Sequence, residues 1–329
     1  MKILIVSLAS NIHPRHTYEK LLIACEKFAN KLDLDYAGLV TNSDEIKRLP
    51  TDANLNIVFV LTGGVGKLAF LIGKHTKGPL LLVSHGYQNS LPSALAASTR
   101  LRKESLIHRI FFKEKLEETF GSLNQFIKFV RRMYGVKIGV ISYQFKEEEI
   151  SLFKRKIGVE VKKISTTCVE EAIREISGKE LPYKVKKIVD RVNLKDISRE
   201  TLQKCLNLYL AIKGIIQKEE INAVAIDCFP IILNLQITPC LAVSLLNSEG
   251  IPCACEADLR SLLLLILARE ITSKSGWIGN PSTILSDNEM IFAHCTAAFD
   301  ILKEIKLYTH FETEKPCAVS GKIQPGLYT

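Results

Sequence analysis

Short runs rich in β-branched residues alternate with amphipathic helical stretches along most of this chain, and few architectures other than parallel sheets flanked by helices accommodate that alternation. A first series predicts strands over residues 2–7, 36–40, 57–62 and 79–84, with a helix near 17–31 and another opening around Gly66. That makes a four-stranded parallel domain. Residues 91–134 lack strand candidates and read as two helices, the second of which, over 123–133, delivers the chain to a new strand at 136–141. A boundary therefore falls near 134. The second series runs through 159–164 and 168–176, a long helix about 199–217, strands at 223–227 and 252–255, and a helix over 259–271. From about Gly276 the texture changes to short strand-like pieces broken by Gly and Pro, at 290–294, 317–320 and 322–324. The expected fold is α/β: two consecutive doubly wound, Rossmann-like parallel-sheet domains, 1–134 and 135–275, followed by a short β-rich C-terminal segment, 276–329.

Composition excludes several classes. A chain of 329 residues is more than one core usually organises, and 47% hydrophobic with 24% charged residues is far from a disordered profile. The longest apolar run, Leu262 to Ala268, is bracketed by Arg260 and Arg269 and falls well short of the ~20 residues that span a bilayer, so no membrane association is expected. Met1-Lys2-Ile3-Leu4-Ile5-Val6-Ser7 is too short an apolar stretch for a secretory signal and reads as a first strand. The nine cysteines are odd in number and lie mostly in apolar segments, as at Cys25, Cys205, Cys253 and Cys255, which fits reduced thiols in a cytoplasmic protein. Lys and Arg exceed Asp and Glu by 44 to 35, a net charge of +9. The basic residues are scattered among acidic ones, and stretches such as Lys128-Phe129-Val130-Arg131-Arg132 look like solvated helix faces, so nucleic acid is not an expected partner.

Three places carry candidate chemistry. Gly63-Gly64-Val65-Gly66-Lys67 follows a strand as phosphate-cradling loops do, but it fails the Walker pattern at Leu61 and Leu68 and has no acidic residue some 20 positions on to hold a ribose. It reads as a tight strand-to-helix turn, and no nucleotide cofactor is expected. His85, Asn89 and Ser90 follow the 79–84 strand, and Asn11 and Arg15 follow the first, both outside the carboxyl ends of strands, where open α/β sheets bind ligands. These five are candidate substrate contacts, with a solvated loop capped by Ser90 as the plain alternative. The third place is Ile251-Pro252-Cys253-Ala254-Cys255-Glu256-Ala257-Asp258, where strand alternation would put Cys253 and Cys255 on one face and Glu256 and Asp258 on the other. Carboxylate oxygens there suit Mn²⁺ or Mg²⁺, which can hold neighbouring oxygens of a polyol. Asp227, closing the 223–227 strand, points to the same sheet edge, and His294 could add an imidazole. Acidic residues before Leu259 also suit a helix N-terminus, the plain alternative. Cys228, Cys240, Cys253 and Cys255 fall within 28 positions, but Cys-x-Cys spacing and alternation into an apolar core favour buried thiols over zinc.

At these residues the chain resembles the L-fucose isomerase and L-arabinose isomerase superfamily, in particular its short archaeal fucose-isomerase-like members. The resemblance is carried by Pro239-Cys240-Leu241-Ala242-Val243-Ser244-Leu245-Leu246-Asn247, by the Glu256-Asp258 block, by Ala293-His294-Cys295-Thr296 and by Asn89-Ser90-Leu91-Pro92-Ser93-Ala94-Leu95. It implies two α/β domains before a β-barrel-like domain, assembly into a homo-oligomer (a trimer or hexamer), and Mn²⁺-assisted aldose-ketose isomerisation of a sugar through an enediol. Asp258 matches the family's metal-binding aspartate, with Glu256 two residues before it; Asp227 or His294 would complete the metal site. Glu256 and Asp258 would then be the catalytic pair. Two departures stand out. Val243 falls where the family has a proton-transferring glutamate, and the chain reaches Gly326-Leu327-Tyr328-Thr329 soon after the barrel should begin, before the family's late histidine ligand. The resemblance therefore implies either a divergent isomerase of a small aldose or deoxy-sugar, or a non-catalytic carbohydrate-binding or regulatory homologue.

Overall fold

The computed structural model describes residues 1–76, 78–176, 183–190, 192–194 and 197–323; the expected strand end at Gln324 and the segment from Gly326 to Thr329 lie outside the described residues. The chain divides into two compact units, Met1–Arg132 and Met133–Thr329. No helix among the described residues is long and apolar enough to cross a membrane.

In the first unit the elements run β1 (Ile3–Leu8), α1 (Glu19–Lys31), β2 (Asp35–Val40), α2 (Ser43–Ile46), β3 (Leu55–Val60), α3 (Gly66–Thr76), β4 (Leu80–Ser84), α4 (Ser90–Lys103), β5 (His108–Phe112) and α5 (Glu117–Tyr134). The sheet is parallel throughout, in the order β2-β1-β3-β4-β5. Alternation explains its two cores. Leu4, Val6, Val58 and Val60 pack on one face with Ala69 and Ile72 of α3 and Ala94, Ala97 and Leu101 of α4. Ile3, Ile5, Ile57 and Phe59 turn to the other face, against Cys25 and Phe28 of α1 and Leu123 and Ile127 of α5. Each fully buried aliphatic side chain contributes roughly 1.5–3 kcal/mol, so the apolar runs read as strands because both faces are covered.

One expectation fails here: residues 91–134 hold two helices but also a fifth strand, β5. It is an edge strand whose residues are half-exposed or exposed, so His108-Arg109-Ile110-Phe111-Phe112 carries no continuous apolar signature.

The second unit continues with β6 (Lys137–Ser142), α6 (Glu147–Ile157), β7 (Glu160–Ser165), α7 (Thr166–Glu175), α8 (Tyr183–Val189), β8 (Asn193–Leu194), α9 (Arg199–Lys218), β9 (Ala223–Ile226), α10 (Cys228–Leu235), α11 (Cys240–Ser248), β10 (Cys253–Cys255) and α12 (Leu259–Thr272). Its parallel sheet has the order β10-β9-β6-β7. Helix α9 starts on Ser198, whose hydroxyl accepts the Thr201 N–H at 3.1 Å, and it buries Leu202, Cys205, Leu206, Tyr209, Ile212 and Ile216, the i, i+3, i+4 stripe of an amphipathic helix. The β-rich remainder comprises the antiparallel hairpin β11 (Asn280–Ser286) and β12 (Glu289–Ala293), and the antiparallel pair β13 (Leu302–Thr309) and β14 (Pro316–Ile323). Strand β8 joins β13 in parallel, and Leu302, Leu307, Cys317 and Val319 share one apolar core with α9 and α11.

Candidate functional site

In the first unit, the loops after β1, β3 and β4 meet where the strand order reverses between β1 and β3, the usual ligand crevice of such sheets. Ser10 N–H donates to Thr62 Oγ1 at 2.8 Å, and Gly63 N–H donates to the Gln88 carbonyl at 2.5 Å. Gly64 takes φ +76°, so the Gly63-Gly64 segment is a tight turn into α3 that a Cβ-bearing residue would strain.

His85 and Ser90 face inward. His85 is 1% exposed; its Nε2 lies 3.2 Å from the Leu61 carbonyl and its Nδ1 3.2 Å from the Tyr87 N–H, which assigns the neutral tautomer protonated on Nε2. Burial holds its pKa below the usual imidazole range, partly offset by the Leu61 bond. The Ser90 hydroxyl donates to the Val60 carbonyl at 2.5 Å and accepts the His85 N–H at 3.1 Å, so it braces the loop; the cap position of α4 falls to Asn89, at φ +55° and with no side-chain cap bond. Asn11, Arg15 and Asn89 are exposed, and Arg15 pairs with Glu19 at 3.1 Å. Of the five predicted contacts, these three remain open to a ligand. A concavity of about 660 Å³ lies instead along β2 between Lys2, Asp35, Tyr36 and Arg48, and contains none of the five.

The second unit holds the carboxylates. Strand β10 ends at Cys255, and Glu256 and Ala257 follow at φ +59° and +51°. Two left-handed residues in succession stop the alternation that would have put Glu256 and Asp258 on one face, so that expectation is corrected by the turn. The two acids part company. Asp258 caps α12: Oδ1 accepts the Arg260 and Ser261 N–H groups at 2.9 and 3.0 Å, and Oδ2 accepts the Ser261 hydroxyl at 2.5 Å. Partial burial pushes its carboxyl up, but those three donors outweigh burial and hold it below the usual range. Glu256 is exposed and lines two small cavities.

The first cavity, about 60 Å³, also has Asp227, Ser142, Gln144, Lys146 and Glu149 on its walls. Asp227 closes β9 as expected, and its Oδ2 lies 2.8 Å from the Ser142 hydroxyl. The second, about 50 Å³, is lined with sulfur and imidazole: Cys228, Cys240, Cys255, Cys295, His294 and His310. His294 follows β12 directly; its Nε2 lies 3.6 Å from Cys255 Sγ and its Nδ1 3.6 Å from Cys295 Sγ. Cys253, a member of the sequence cluster, instead lies fully buried in the apolar core.

The residues present do not fit the hard cation that the family resemblance implies. Among the described residues, no three of Asp227, Glu256, Asp258 and His294 bring ligand atoms within 4.8 Å of one another, and both Asp258 oxygens are taken by the helix start. Val243, where the family has a glutamate, is 2% exposed in the apolar core and lines neither cavity. Cys295 and His310 went unnoticed in the sequence as ligand candidates. Only their neighbours could have signalled them, because Cys240, Cys295 and His310 are 55 and 15 positions apart along the chain and meet through tertiary packing.

No protein-family model matches the chain. It is 24% identical over 229 residues to a sulfoquinovose isomerase of Alkalicoccus urumqiensis, an alignment covering 66% of this chain and 52% of the relative. It is 25% identical over 224 residues to the sulfoquinovose isomerases of Priestia aryabhattai and Priestia megaterium, covering 64% of this chain and 50% of each. The chain spans about half the length of the curated relatives it matches. The similarity is to sugar isomerases, a coarser statement than the fucose and arabinose isomerase superfamily.

Proposed function

We propose that this chain is a sugar aldose-ketose isomerase in which Glu256 moves the proton. The observation that carries the reading is the place of Glu256: an exposed carboxylate held on a left-handed turn at the carboxyl end of a parallel strand, beside Asp227 and Lys146 on one cavity wall. The similarity to sulfoquinovose isomerases supports the reaction class. In an open-chain aldose the Glu256 carboxylate takes the proton from the carbon next to the carbonyl. The freed pair forms the carbon–carbon double bond of an enediol as the carbonyl oxygen takes a proton from the Lys146 ammonium. Glu256 then returns its proton to the former carbonyl carbon while the neighbouring hydroxyl gives its own to Lys146, restoring the ammonium, and becomes the ketone. Lys146 supplies positive charge where oxygen becomes negative. Metal dependence stays outside this scheme, because the donors do not gather.

Cavities of about 60 and 50 Å³ are far smaller than the roughly 300–1,000 Å³ of ordinary ligand pockets, so the sugar lies across their mouths. A second copy of the chain, in the oligomer that the family resemblance implies, supplies the remaining walls. The rival reading is a carbohydrate-binding homologue without catalysis, favoured by Val243 sitting in the core.

Incubating the chain in D₂O with sulfoquinovose, a pentose pair or a 6-deoxyhexose pair separates them. We expect interconversion of one pair with deuterium uptake at the carbon beside the carbonyl, and a fall of roughly 10²–10⁴-fold in Glu256→Gln. Sugar binding without exchange would establish the rival. Neither binding nor exchange would overturn both.

A further inference from the structure

The sulfur-lined cavity has a use that carboxylate chemistry does not touch. Cys240 is the first residue of the nine-residue helix α11 and is buried there. Thr296 holds the neighbouring strand end against that helix: its hydroxyl donates to the Cys240 carbonyl at 2.9 Å and lies 2.7 Å from the Ser244 hydroxyl. The Trp277 indole N–H donates to the Thr296 carbonyl at 3.1 Å, and the Val319 N–H donates to the Cys295 carbonyl at 3.0 Å, so the Cys295-Thr296 segment is held by α11, the Trp277 segment and β14. His310, 4% exposed, sits at the end of β13 with its backbone N–H bonded to the Lys315 carbonyl at 2.7 Å and its ring stacked on Phe311. The result is two sulfurs and one imidazole nitrogen within 4.8 Å of one another, one from a helix, one from a strand exit and one from a turn.

We propose that Cys240, Cys295 and His310 bind Zn²⁺, leaving its fourth coordination position facing the cavity that Glu256 and His294 line. Two thiolates with an imidazole are a donor set for zinc and a poor one for Mn²⁺ or Mg²⁺, which take oxygen. A tetrahedral site with Zn–S of about 2.3 Å and Zn–N of about 2.0–2.1 Å separates its ligand atoms by about 3.5–3.8 Å, inside the 4.8 Å limit within which these three donors lie. Ligation also needs deprotonated sulfur. Binding of the cation by both sulfurs therefore releases two protons to solvent. His310 loses little, since its Nδ1 accepts only a long 3.3 Å contact from the Glu312 N–H. This site is independent of the isomerase reading, and its test needs no sugar.

The reduced, metal-free full chain is titrated with Zn²⁺ against a chromophoric chelator, and with Co²⁺ as a spectroscopic stand-in. One equivalent bound per chain and a thiolate-to-cobalt charge-transfer band are expected. Cys295→Ser and His310→Gln should each weaken binding by more than about 100-fold, beyond what loss of an outer-shell partner costs. Cys168→Ser, at an exposed thiol outside the cavity, serves as the control. Two variants guard against misfolding, each checked by circular dichroism. Absence of the charge-transfer band in the full chain, or unchanged affinity in both folded variants, would overturn the proposal.

Discussion

Asp258 and Glu256 stand two positions apart and do different work. Asp258 satisfies two backbone N–H groups at the start of α12 together with the Ser261 hydroxyl. Asp258→Ala should therefore lower stability by about 1 kcal/mol in urea unfolding, while Asp258→Asn, an equally good cap, should stay within a few tenths. Equal losses in the two variants would show that the charge matters and the cap does not. At His85 the sign of the pH effect follows from burial. Its folded pKa lies below the unfolded value of about 6.5, so the unfolded chain binds the proton more readily. The stability it contributes is complete above about pH 6.5 and is lost as pH falls toward the lowered folded pKa. His85→Gln should flatten that part of the stability profile between about pH 7 and pH 5, as read from denaturant midpoints. The identities of both residues were legible in the sequence. The helix-start role of Asp258 was legible as the plain alternative; the buried tautomer of His85 was not, because it depends on the Leu61 carbonyl and Tyr87 N–H that packing brings to its ring.

Helices α3 and α4 pack side by side because Gly66 lets them approach. A Cβ at Gly66 would lie 2.9 Å from the Ser93 carbonyl oxygen and 3.1 Å from Ala96 Cβ, backbone and helix atoms that cannot step aside. Gly121, on the exposed face of α5, has nothing within 4 Å of the corresponding position. The same substitution should thus have opposite signs. Gly66→Ala should destabilise by about 1–3 kcal/mol through overpacking, and Gly121→Ala should stabilise by roughly 0.5–1 kcal/mol through helix propensity, both measured as shifts in unfolding free energy. Elements with both faces covered, such as β1 and β3, were readable as apolar runs holding one polar residue each, Ser7 and Asn56. Edge strand β5 and the two-residue β8 were not, since their stability comes from a neighbour's free backbone groups rather than from their own pattern.

At the scale of the molecule, the two parallel sheets follow from alternation: a strand, a helix and a short return can close only in a few ways. The sequence by itself thereby determined the α/β class, the first sheet's central strands, and the placing of Asp227 and Glu256 at carboxyl ends of strands. Periodicity reports how each segment meets its own core, and that is local information. What only the tertiary structure decided is who meets whom. The left-handed turn after Cys255 separated Glu256 from Asp258, and the packing of α11 against the 294–296 segment and the end of β13 gathered Cys240, Cys295 and His310 from positions far apart in the chain. Such convergence depends on long-range contacts among several elements, which leave no period in the sequence and become visible only when the core has closed.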